Sequence, residues 1–181
     1  MSWASIRPRV WRQAGVFLAG AAILTFPGCG TSATPAVSQP ARHGEVATVN
    51  GAVPPGTPAK VVSSDLLLDT TDPDGQRTVV YRDTRAVGTR TPIHLHPHGG
   101  HTCVLQGQMT LYLEGAAPEA RVAGQCYAMP ADRPMAGVNS GDVDAVFLDS
   151  FTMPPGADVW EVVEPGTAEL ADQFGRGAAP S

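Results

Sequence analysis

From Lys60 onward, short apolar runs alternate with turn residues roughly every 8–12 positions, the rhythm of strands rather than helices. Val61-Val62 through Leu66-Leu67-Leu68 predicts one strand, closed by the turn sequence Asp72-Pro73-Asp74-Gly75, and Thr78-Val79-Val80-Tyr81 predicts a second. A third enters through Pro92, carries His94-Leu95-His96 and breaks at Pro97 and Gly99-Gly100; extended structure resumes from Thr102 to Leu105. Gly107-Gln108 leads into Met109-Thr110-Leu111-Tyr112-Leu113, where Met, Leu and Leu alternate with Thr and Tyr as in a half-buried strand. Glu114 to Ala123 reads as a loop. Gly124 to Met129 reads as a strand ended by Pro130, Val143 to Phe151 as a long apolar one ended by Pro154-Pro155-Gly156, and Val159 to Val163 as the last. Helical periodicity is confined to a short terminal stretch, Thr167 to Phe174. Many short strands with Gly/Pro turns predict an all-β sandwich or barrel.

The region before this pattern has a different character. Arg7, Arg9 and Arg12 form a basic start without an acid, and Ala14 to Phe26 is an apolar run too short to span a bilayer comfortably. This predicts export. Pro27-Gly28-Cys29-Gly30 resembles a bacterial lipoprotein cleavage box, which implies lipidation at Cys29 and a membrane-anchored protein; simple secretion with cleavage elsewhere is the alternative. Residues 30–58, rich in Gly, Ser, Thr, Ala and Pro, are expected to form a flexible tether, 59–170 a single domain, and 171–181 a tail. Removing Arg7, Arg9 and Arg12 leaves nine basic residues against 17 acidic ones, net −8. That balance disfavours nucleic acid and electrostatic docking on anionic lipid, so membrane association is expected only through the lipid.

Four of the five histidines, His94, His96, His98 and His101, fall within eight residues. His94 and His96, two apart on a strand, share a face and can grip one divalent cation together. The competing reading is a polar, solvent-exposed hairpin. His98, between Pro97 and Gly99, reads as a solvent-facing turn residue.

The spacing of these residues resembles the cupin family of small jelly-roll barrels. Gly88, five residues, His94-Leu95-His96 and a closing Gly107 follow the family's first motif; Gly124, Pro130 and Asn139 follow its second. The resemblance covers about residues 88–139 and implies a double-stranded β-helix. It also shows departures. Gly100 stands where the family has a glutamate, with His101 beside it; Met135 stands where it has the second-motif histidine, and Asp132 where it has a glycine. The implied metal set is therefore His94, His96, His101 and Met135. His101 needs a one-residue slip in strand parity to point inward, and Met135 either ligates or fills the barrel with apolar volume. Three imidazoles with an open position suit Zn, Fe, Ni or Cu, and a thioether favours copper. The resemblance also makes the strands of Cys103 and Cys126 neighbours, so a disulfide is conceivable; two buried free thiols are the alternative.

Two functions remain open. The resemblance implies an exported metal-dependent, dioxygenase-like enzyme acting on a small organic molecule. The alternative is a non-catalytic cell-surface module that binds a metal or small ligand. The resemblance leaves a homodimer open as well.

Overall fold

The computed structural model describes residues 43–174. The expected signal, Cys29, the first part of the tether and the end of the tail lie outside the described residues. The strands are, in chain order, β1 (Thr57–Pro58), β2 (Ser63–Thr71), β3 (Arg77–Arg85), β4 (Thr89–Arg90), β5 (His94–Leu95), β6 (Gly100–Gln106) and β7 (Gln108–Leu113). They continue with β8 (Glu119–Val122), β9 (Cys126–Met129), β10 (Met135–Asn139), β11 (Ala145–Met153) and β12 (Glu161–Val162), followed by a 3₁₀ helix, Ala168–Phe174.

One sheet runs β2-β3-β11-β6-β9; the other holds the remaining seven strands around β10, which pairs with β4 and β5 on one side and β7 on the other. β1 and β4 are parallel, and the other strand pairs are antiparallel. After β3 the chain crosses between the sheets repeatedly, to β4 and β5, back to β6, across to β7 and β8, back to β9, and then alternately through β10, β11 and β12. This winding is a double-stranded β-helix. Its sheets face each other without closing into one hydrogen-bonded barrel.

Period-two burial explains which faces meet. Val79, Tyr81, Asp83 and Arg85 on β3, and Ala145, Phe147, Asp149, Phe151 and Met153 on β11, turn inward. They meet Met109, Leu111, Leu113 and Met135 from the opposite sheet in the main core. β2 lies at a sheet edge with all nine residues exposed, including Leu66, Leu67 and Leu68, and a bulge between Leu66 and Leu68 interrupts its ladder with β3.

Four sequence readings change. The predicted loop Glu114–Ala123 contains β8, a four-residue edge strand whose apolar Ala120 and Val122 are exposed rather than turned into the core. β10, unassigned by the pattern, is buried at all five positions, so a period-two signal is absent there too. The packed body also starts before residue 59. Val49 is buried with Ile93, Leu95 and Val163; Val46 N–H donates to Val163 O (2.9 Å), and the Asn50 amide donates to Leu113 O and Ala116 O (both 2.9 Å). Residues 43–58 are therefore a strap on the domain rather than tether, held by a few buried contacts that their Pro/Gly-rich composition conceals. At the other end the 3₁₀ helix docks through Trp160 Nε1, which donates to Ala171 O (2.9 Å), so the body extends past 170.

Cys103 on β6 and Cys126 on β9 are direct ladder partners, Cα atoms 4.0 Å apart, and form a disulfide. Of the two readings of these cysteines, the structure shows the bridge. It closes a loop of 23 residues, for which chain entropy gives about 3 kcal/mol. The Cys103→Ser/Cys126→Ser double variant should lose about that much stability in urea titration, with reductant lowering the wild type to match and leaving the variant unchanged.

Candidate metal centre

β5 is two residues long, yet both its edges are paired: His94 lies opposite Met135 of β10 and Val162 of β12, and Leu95 opposite Glu161. His94 and His96 are both buried and line one cavity. His94 Nδ1 lies 2.8 Å from Pro92 O, and His96 Nδ1 lies 2.7 Å from Val159 O. A carbonyl can only accept, so each Nδ1 carries the proton and each Nε2 of a neutral ring keeps a bare lone pair. Those two Nε2 atoms face each other at 3.1 Å. The rings stand at 85° to one another in an aromatic box, with Trp160 4.8 Å from His94 and Phe151 stacked 4.8 Å from His96.

Burial holds both imidazoles neutral. His94 lies well below the ordinary 6.5, chiefly by desolvation and then by the neighbouring His96; desolvation takes His96 down to about 4. Two unprotonated nitrogens therefore point at each other, an arrangement that a cation between them relieves. Two nitrogens each about 2.1 Å from one ion at roughly a right angle stand about 3 Å apart, so the pair fits the metal the resemblance implies. Backbone carbonyls on the far nitrogens are the usual support for ligating histidines. Among the described residues, no third His, Cys, Asp or Glu joins them in a metal-binding group. Met135 is fully buried, opposite His94, and lines the same cavity.

The other expected residues are placed apart. His101 is exposed, and this is a correction to the implied ligand set: the β6 ladder runs regularly from His101 through Cys103, so the needed slip is absent and Thr102 takes the inward position. His98 is exposed at its turn, as expected. At Gly100 a Cβ would sit 2.5 Å from Phe151 Cδ1 and 2.9 Å from Ser150 O. The space the resemblance gives to a glutamate is thus filled by the phenyl ring stacked on His96. Asp132, in the motif glycine's place, has φ 53°, the left-handed conformation that glycine adopts most easily.

Several lumen residues escape the motif pattern. Arg85, Thr102, Tyr127 and Asp149 line the cavity with the histidines, and Asp83 is buried beside Arg85 on β3. A signal was present: Asp149 alternates with Phe147 and Phe151, and Asp83 and Arg85 continue the inward parity of Val79 and Tyr81. Thr102 Oγ1 donates to Asp149 Oδ1 at 2.5 Å. Burial, with the charge of Asp83 adding, pushes Asp149 up to about 7; burial likewise raises Asp83 to about 6, offset in part by Ser64 and Arg85. The cavity leaves about 20 Å³ in which a water molecule's centre can move, room for one or two waters.

No family model matches the chain, and no curated protein does. Among solved structures, a cupin-like protein from Thermotoga maritima is 21% identical, with a TM-score of 0.49 over 67% of this chain and 96% of that one. A protein with a double-stranded β-helix domain from Klebsiella pneumoniae is 23% identical (TM-score 0.46; 60% and 86% covered). An RmlC-like cupin family protein from Methanocaldococcus jannaschii is 22% identical (TM-score 0.45; 54% and 84%). The fold stands on its own strand winding.

Two outcomes follow from the packing and charge. Gly100→Ala should cost roughly 1–3 kcal/mol in urea titration, because backbone Ser150 O cannot yield to the new Cβ. Asp149 binds a proton in the folded protein between its ordinary 3.8 and about 7, so its contribution to stability declines as pH rises through that window. Asp149→Asn, still able to accept from Thr102, should exceed wild-type stability at pH 8 by on the order of 2 kcal/mol, with the gap closing towards pH 4. A gap constant with pH would show that Asp149 ionises normally.

Proposed function

We propose that this protein is an exported metal-binding cupin-type domain in which His94 and His96 hold one divalent transition metal ion, and that a small organic molecule meets the ion in the lumen. The observation that carries this reading is the pair of unprotonated Nε2 atoms, 3.1 Å apart, each fixed by a carbonyl on its other nitrogen. Met135 is the third donor in reach of the lumen, and a His₂Met set favours copper over harder ions. A bound ion would act as a Lewis acid with positions left for water or a small ligand. The residues' part is to hold two neutral nitrogens in a dry box, so that the ion displaces little bound proton at neutral pH.

Export is supported by the signal-like start and by the Cys103–Cys126 disulfide, which suits an oxidising compartment. Lipid anchoring at Cys29 is part of the same reading. The narrow cavity and the absence of a carboxylate at position 100 favour a ligand-binding module over a dioxygenase-like enzyme.

Metal analysis of the purified protein should find near one transition-metal ion per chain. His94→Ala and His96→Ala should each weaken retention by roughly 100-fold or more, while His101→Ala changes nothing. Met135→Leu should weaken copper and spare zinc, and Met135→His should tighten zinc. Unchanged affinities across His94→Ala, His96→Ala and both Met135 variants would sink the metal reading.

A further inference from the structure

Besides the histidines, the lumen contains, among the described residues, one buried cation whose bonding is incomplete. Arg85 is 0% exposed and lines the same cavity. Its Nη1 donates to Ala59 O at 3.0 Å, its Nη2 reaches Gln173 Oε1 only at 3.5 Å, and its Nε has no hydrogen-bond partner. Asp83 and Asp149 influence it electrostatically, yet among the described residues no carboxylate oxygen forms an ion pair with the guanidinium. A guanidinium so placed is costly to bury, and its geometry is made for a planar anion that accepts two hydrogen bonds.

Gln173 marks where such an anion would sit. Its side-chain oxygen accepts from Arg85 Nη2 and, at 3.3 Å, from Val61 N–H; both contacts are long. Gln173 is half-buried in the terminal 3₁₀ helix, which rests on the body through Trp160 Nε1 and Ala171 O. A neutral amide oxygen on a peripheral turn thus covers a buried cation. The rest of the cavity lining mixes apolar Met109, Leu111 and Phe147 with polar Thr91, Thr102 and Asp149.

We propose that the lumen selects a small organic carboxylate, whose oxygens take the place of the Gln173 carboxamide on Arg85 while the rest of the molecule extends towards the histidine pair. This rests on the lumen being a ligand site, as proposed above, but not on the metal. The ligand's charge matches that of Arg85, and its size is limited to what the cavity and the space vacated by Gln173 allow.

The test is calorimetric titration of acetate into the purified protein, metal-stripped and zinc-loaded. Acetamide serves as the neutral isostere and chloride as the matched-ionic-strength control. Acetate should bind in both forms, and acetamide and chloride in neither. Gln173→Ala, which removes the covering oxygen from a peripheral turn, should tighten acetate binding fivefold or more. Arg85→Gln should abolish it; if that variant does not fold, Gln173→Ala decides. Acetate binding no better than chloride, or indifferent to Gln173→Ala, would overturn the proposal. Binding seen only with zinc would overturn it too, while leaving the metal reading intact. A chain that retains no zinc but binds acetate in this Gln173-dependent way would do the opposite, ending the metal reading and supporting the carboxylate site.

Discussion

The lumen depends on how the two-residue strand β5 is held. Arg90, 2% exposed, meets Glu164 in a bidentate pair with both contacts at 2.6 Å, and the same carboxylate accepts Ile93 N–H at 2.8 Å. Arg90 also donates to Gly56 O and Thr91 O, so the ion pair ties the N-terminal strap, β4 and the end of β12 to the residue that precedes His94. An ion pair this buried is not a simple source of stability, since desolvation opposes it; its use here is positional. Truncating either partner would leave a buried charge uncompensated next to the candidate metal centre. With Ile93 fixed, and with β10 and β12 on either edge of β5, the His94 ring has one place to go. The Pro92 and Val159 carbonyls then decide which nitrogen of each ring is bare.

The same burial acts in opposite directions on the lumen's acids and bases. The histidines are held neutral, so the unfolded chain takes up their protons first as pH falls below 6.5, and stability drops towards pH 4. Asp83 and Asp149 are raised, so their contribution falls as pH rises towards 7. Between about pH 4 and 6.5 the two trends offset. Arg85, lowered only to about 10 by burial, stays charged throughout this range and is the fixed positive point around which the acids ionise.

Much of this was legible in the sequence because strands write their faces at period two. The His-x-His pair and the inward Met-Leu-Leu of β7 could be placed that way, while the neighbouring of the two cysteines followed only from the family resemblance. The limits are physical. Parity cannot reveal a strand buried on both faces, such as β10, or a four-residue edge such as β8, whose apolar positions are exposed. It did set the condition on His101, whose inward turn required a slip between His101 and Val104, whereas the irregularity in the β6 ladder falls at Leu105. The strap at 43–58 was hidden because a few buried contacts, Val49 foremost, hold a segment whose composition reads as linker. The charged lumen residues are obscure for a different reason: Asp83, Arg85 and Asp149 stand outside the motif positions, as three charges on otherwise apolar inward faces.

The departures from the cupin pattern make sense together rather than singly. Gly100 has no side chain, and that vacancy is what admits the Phe151 ring against His96. A glutamate there would need both the space and a polar setting, and the aromatic ring denies it each. At the matching position across the lumen, Met135 replaces an imidazole with a thioether that needs no hydrogen-bonded support. With glycine and methionine at those two positions, no third His, Cys, Asp or Glu among the described residues joins the two neutral histidines in a metal-binding group. The charged groups of the cavity lie elsewhere, in Asp149 with Thr102 and in Arg85 under Gln173. If both proposals hold, the lumen separates two tasks, with soft coordination at β5 and β10 and charge recognition at β3 and the terminal helix.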